Sequence, residues 1–135
     1  YLSNMKSEHK ELTQYFSQQT ELIKEIHQQL TEHLEQRFTI AELSKQYLIN
    51  TSTLKEIFKA VYGQPIATYM KEFRVRQAMK LLRETNDTIA DIASQVGYQT
   101  QGKFSSAFQS IVKMSPREYR KIQGIAPFDS FSKTL

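Results

Sequence analysis

The sequence predicts an all-α chain of about seven helices, with two helix-turn-helix subdomains joined by a long connector helix. Apolar residues recur at three- and four-residue spacing through residues 22–122, the period of amphipathic helices. Within 88–120 a capping pair, an apolar run, a glycine and a second amphipathic run follow one another, the order of a helix-turn-helix. The chain also repeats itself. Thr39-Ile40-Ala41-Glu42-Leu43 matches Thr88-Ile89-Ala90-Asp91-Ile92 at a shift of 49, and Leu54, Phe58, Val61 and Tyr69 match Phe104, Phe108, Ile111 and Tyr119 at a shift of 50. The extra residue falls between Val96 and Phe104, so it belongs to the turn. One supersecondary unit present twice is a much stronger signal than either copy alone.

Residues 1–20 are polar without a clear apolar period and read as a linker or a frayed helix start; the double helix-turn-helix domain is placed at 21–122. Leu22, Ile23, Ile26, Leu30 and Leu34 mark an amphipathic helix to about Gln36, expected to cover the first helix-turn-helix core. His27 and His33 are six apart, whereas helical metal pairs need three or four, so no metal site is assigned. The first unit spans 39–63. Thr39 and Glu42 form a capping box, Ile40, Leu43, Tyr47 and Leu48 supply apolar contacts, and Asn50 caps the outer helix. Leu54, Ile57, Phe58 and Val61 face inward there, and Gly63 terminates the helix.

The connector is expected at 65–84, with Pro65 in its first turn and Ile66, Tyr69, Met70, Phe73, Ala78, Leu81 and Leu82 as its packing stripe. Asn86-Asp87 turns the chain into the second unit, 88–122. Thr88 and Asp91 begin a helix carrying Ile89, Ile92, Ala93 and Val96, which Gly97 ends. From Thr100 a second helix places Phe104, Ala107, Phe108 and Ile111 on one face, leaving Gly102, Lys103, Ser106 and Gln109 off it. A closing helix follows, capped by Ser115, opened by Pro116 and anchored by Tyr119, and broken at Gly124-Ile125-Ala126-Pro127. The tail, 123–135, carries Phe128 and Phe131.

Several residues within this frame form a family pattern: Ile92-Ala93, Gly97-Tyr98, Phe104, Phe108, Ser115-Pro116 and Tyr119-Arg120, and upstream Leu54, Phe58, Gly63, Tyr69, Arg74, Ala78 and Leu81-Leu82. Over roughly residues 22–122 the chain resembles the C-terminal DNA-binding domain of the AraC/XylS-type bacterial transcription regulators. Tyr98 stands where phenylalanine is usual, and Lys113 where a helix-ending glycine is common. The resemblance implies sequence-specific binding of double-stranded DNA, activator or repressor work through RNA polymerase, and a separate N-terminal sensing or dimerising domain. Because the sequence starts at Tyr1 rather than methionine, that effector or dimerisation domain is expected to lie outside it. By position in the family's motif, the DNA-binding candidates are Ser52, Thr53, Lys55, Glu56 and Lys59 on the first outer helix and Gln101, Gly102, Lys103 and Ser106 on the second. Lys55 and Lys103 suit guanine, Gln101 suits adenine, and Glu56 suits cytosine N4 or an i,i+3 pair with Lys59.

Composition agrees with this frame and excludes others. A chain of 135 residues with 39% hydrophobic content supports a modest core. Without cysteine it has no disulfide or thiolate metal site, which fits a cytoplasmic location. No apolar run approaches the roughly 18–20 residues of a membrane span, and no signal peptide is seen, so no membrane partner is expected. Residues 1–50 hold 5 Lys/Arg against 7 Asp/Glu, whereas residues 51–135 hold 13 against 7, so the basic excess lies with the outer helices and connector. No nucleophile elbow, phosphate-cradling glycine loop or His/Glu metal pair occurs, so neither an enzyme nor a cofactor is read. The rival from another class is a helical protein-interaction module. It would expose large aromatics where this chain has small or cationic residues, and a salt titration separates the two.

Overall fold

Local capping sets where most helices begin. The computed structural model describes residues 2–125. Among them are seven α-helices and no strand: α1 (Leu2–Glu32), α2 (Ile40–Tyr47), α3 (Thr51–Tyr62), α4 (Ile66–Glu84), α5 (Ile89–Gln95), α6 (Gln101–Val112) and α7 (Pro116–Ile125). The side chains of Thr39, Asn50, Thr88 and Thr100 accept from the amides of Glu42, Ser52, Asp91 and Lys103, and Ser115 accepts from Glu118 at 3.1 Å. Each satisfies a first-turn donor that has no intrahelical partner. Pro65 lies just ahead of α4, its carbonyl accepting from the Tyr69 amide at 2.9 Å.

Three helix ends differ from the sequence-based expectation. α1 extends back to Leu2, through the stretch read as a linker or frayed start, and closes at Glu32 rather than near Gln36. Good helix formers and the absence of Gly or Pro before Gly63 allow the long helix without an apolar period. α7 runs through Gly124 to Ile125, so Gly124 does not break it. Phe128 and Phe131 lie outside the described residues.

The chain divides into two compact units. The first comprises residues 1–33 and 38–69. In it α3 packs on α1 and α2, burying Ile23, Ile26, Leu30, Leu43, Ile49, Leu54, Phe58 and Ile66. The apolar run of α1 thus covers the first helix-turn-helix. His27 stacks on Tyr62 with ring centroids 4.3 Å apart and shares a 2.7 Å hydrogen bond with the Tyr69 hydroxyl. Burial holds its imidazole below the ordinary value, which favours the neutral ring. Val61, expected inside, is exposed, while its neighbour Tyr62 joins this aromatic cluster.

A larger correction concerns the turn between α2 and α3. Leu48, expected to supply an apolar contact, is 92% exposed, and Ile49 is buried beside it. The cause is backbone: Leu48 adopts φ 52, ψ 46, the left-handed C-cap conformation, which turns the next residue inward. Leu48 corresponds to Gly97 (φ 91), and Lys113 (φ 69) to Gly63 (φ 81). The repeat is therefore complete in backbone where it is broken in sequence. Each copy places one ordinary side chain in a region that disfavours it by roughly 1–2 kcal/mol. Leu48→Gly and Lys113→Gly are each expected to raise stability by about 0.5–1 kcal/mol, after the extra unfolded-state entropy of glycine is subtracted. Urea unfolding of the two variants measures this directly.

The second unit comprises residues 34–37 and those from Met70 onward. Its core is Val75, Ala78, Leu82, Ile92, Ala93, Val96, Phe104, Ala107, Phe108 and Tyr119, with α6 packed on α5 and α7. Arg83 donates to the Tyr119 hydroxyl at 2.7 Å, and Arg120 donates to the carbonyls of Leu82 and Thr85 at 3.2 and 3.3 Å. Arg120 thereby closes the C-terminal end of α4, where carbonyls lack helical donors and favour a cation.

Candidate nucleic-acid interface

An amphipathic helix with one face in a core leaves the opposite face to carry chemistry. In the first unit α3 buries Leu54 and Phe58, and Ser52, Lys55, Glu56 and Lys59 are exposed. Thr53 is half-buried and stands apart from that set. Glu56 and Lys59 form no ion pair, so both charges are available. In the second unit α6 buries Phe104, Ala107 and Phe108, and Gln101, Gly102, Lys103 and Ser106 are exposed. The candidates thus form two sets, each on its own helix in its own unit. A Cβ built on Gly102 meets nothing within 4 Å, so packing inside the chain does not require glycine there. Small and cationic side chains on a convex helix suit close approach to a groove, with Lys donating to base edges or phosphates.

The turn that presents α6 is built around a buried cation. Tyr98 N–H donates to the Ala93 carbonyl at 2.9 Å and Gly97 N–H to the Ser94 carbonyl at 3.0 Å, the two bonds of a glycine-closed helix end. Behind it lies Arg74 of α4, only 2% exposed. Its guanidinium donates to the carbonyls of Leu34, Val96 (2.7 Å) and Gln36 (3.3 Å). Backbone carbonyls thus take its two terminal nitrogens, while its buried Nε finds no hydrogen-bond partner among the described residues. Burial, and secondly the nearby Arg37 charge, push its pKa down to about 10, with Tyr98 and Glu35 acting the other way. It therefore stays charged at neutral pH. Arg37 lies on the same turn, its Nε donating to the Gly97 carbonyl at 2.7 Å and its guanidinium carbon 4.7 Å from the Tyr98 ring centroid.

Sequence reasoning assigned no role to Arg37 and placed Arg74 only within a family pattern. Arg74 did carry a signal. It falls four residues after Met70 and four before Ala78, on the connector's apolar stripe, where a cation requires buried acceptors. Arg37 carried none, since its partners are 60 or more residues away in sequence. Among the described residues no helix is long and apolar enough to cross a membrane.

Comparison with known proteins fits this geometry. A family profile described as a helix-turn-helix domain matches residues 43–122. The chain is 39% identical over 84 residues to a Streptomyces lividans protein assigned as an AraC-like transcription regulator, covering 62% of this chain and 28% of that protein. It is 34% identical over 91 residues to the transcriptional activator RhaR of Mannheimia succiniciproducens, covering 67% of this chain and 33% of RhaR. The chain thus spans a third or less of the length of these two relatives. Among solved structures, the DNA-binding domain of the transcriptional factor AdpA, determined with a target DNA, shares the fold. It superposes with TM-score 0.73 at 21% identity, over 78% of this chain and 96% of that one.

Proposed function

Since this chain belongs to the AraC-type helix-turn-helix family, we propose that it binds double-stranded DNA sequence-specifically, as the DNA-reading part of a transcription regulator. One observation carries the proposal: each copy of the repeated unit exposes the outer face of its second helix, and that face carries small, polar and charged residues, Lys55 and Lys59 on α3 and Lys103 on α6 among them. DNA contacts, to base edges or to phosphates, are assigned to Ser52, Lys55, Glu56 and Lys59 on α3, with Thr53 at its edge, and to Gln101, Gly102, Lys103 and Ser106 on α6. The 19-residue connector α4 is roughly 28 Å long at 1.5 Å per residue, close to the roughly 34 Å pitch of DNA. We read the two helices as entering successive major grooves, in a non-palindromic site whose two segments lie about 10 base pairs apart. Regulation is proposed to run through RNA polymerase, under an effector or dimerisation domain beyond these residues.

Selection from a random duplex pool, followed by titration of affinity against KCl, tests the reading. Log affinity is expected to fall with log salt by about 0.9 for each phosphate neutralised. A slope near zero, or no duplex binding at low salt, would replace this reading with the protein-interaction module. A footprint of one short segment would show that one helix alone reads DNA. In that case α3 is expected to be the one that fails, because Glu56 carries negative charge toward the phosphates.

A further inference from the structure

The presenting turn of the second unit has an open side. Arg37, Gly97, Tyr98, Gln99 and Lys103 line a cleft of about 320 Å³. Arg37 is exposed yet fixed in place, tied through Nε to Gly97 and laid against Tyr98. Its terminal nitrogens and the Lys103 ammonium have no hydrogen-bond or ion-pair partner among the described residues. No carboxylate is among the residues that line the cleft. The amides of Gln101 and Gly102 open α6 at the same edge, and the Thr100 hydroxyl accepts only from Lys103 N–H. Two cationic side chains thus line one concavity, and an anion seated there meets both. A guanidinium fork of fixed orientation matches two oxygens of a phosphodiester, and an ammonium adds a point charge.

Resting on the DNA-binding reading above, we propose that this cleft holds one backbone phosphate of the duplex between Arg37 and Lys103. On this assignment Lys103 positions α6 on the DNA, while Gln101, Gly102 and Ser106 face the bases. Arg37 reaches the site from the segment between α1 and α2, so that segment and the turn grip the same phosphate.

The test uses the whole chain and a duplex selected as above, with affinity measured by fluorescence anisotropy at several KCl concentrations for wild type, R37Q, R37K, K103Q and the double variant R37Q/K103Q. R37Q and K103Q are each expected to make the salt slope shallower and to weaken binding by the same factor on the selected duplex and on single-mismatch duplexes. Because one phosphate is shared, the double variant should lose no more than about 0.9 in slope, or about tenfold in affinity at 0.1 M salt. R37K should keep the slope, since it keeps the charge. An unchanged slope in R37Q with its thermal unfolding intact would overturn the assignment. So would a loss confined to one base position in K103Q, which would make Lys103 a base reader. Should R37Q fail to fold, K103Q, an exposed change with no side-chain partner to lose, decides alone. Failure of wild type to bind any duplex would overturn the DNA reading and this assignment together.

Discussion

Gly97→Ala is expected to destabilise the second unit by about 3 kcal/mol or more, a fall in melting temperature on the order of 12 °C or greater for a unit of this size. Two effects add. At φ 91 any L side chain is strained, which costs about 1 kcal/mol. A Cβ there would also overlap the Arg74 guanidinium and the Leu34 carbonyl. Neither group is a flexible tip free to move, since the guanidinium is tied to three carbonyls and one of those belongs to Leu34. Gly63→Ala is the internal control. Its φ of 81 imposes similar strain, but a Cβ there meets nothing within 4 Å, so only about 1 kcal/mol should be lost. Urea unfolding followed by circular dichroism measures both. Equal losses would show that the close packing behind Gly97 carries no energetic weight.

Arg74→Met should cost about 3–5 kcal/mol, the range seen when one member of a buried charged arrangement is removed. Replacing a whole buried ion pair with apolar residues is often harmless, because both polar partners leave together. Here the partners are the backbone carbonyls of Leu34, Val96 and Gln36, which no substitution can remove. Methionine fills similar volume but leaves those acceptors without a donor, and a buried unsatisfied carbonyl costs roughly 1–3 kcal/mol. Arg74→Lys should fall between wild type and Arg74→Met, because a single ammonium cannot reproduce the planar fork across three acceptors. If the methionine variant matches wild type in chemical denaturation, the guanidinium is not what binds the 34–37 segment to the second unit.

Most helix starts, the connector and the two outer faces were legible in the sequence because their causes are local. A threonine caps an amide three residues on, as Thr39, Thr88 and Thr100 do. A period of three to four residues sorts Phe104, Ala107 and Phe108 inward from Gly102, Lys103 and Ser106 outward without reference to any distant part of the chain. The repeat then sharpened both copies at once. What tertiary structure alone decided lies where distant segments share one acceptor or one cavity. Leu48 and Ile49 exchanged places because the turn adopts a left-handed residue without the glycine that signals it in the other copy. Val61 yielded the inward position to Tyr62, whose ring meets His27 from a helix many residues earlier. The largest example is the cationic turn. Arg74 and Arg37 find their acceptors at Val96 and Gly97, 22 and 60 residues away in sequence. No window of sequence contains both ends of such a contact, and the free energy that selects it exists only once the second unit has closed.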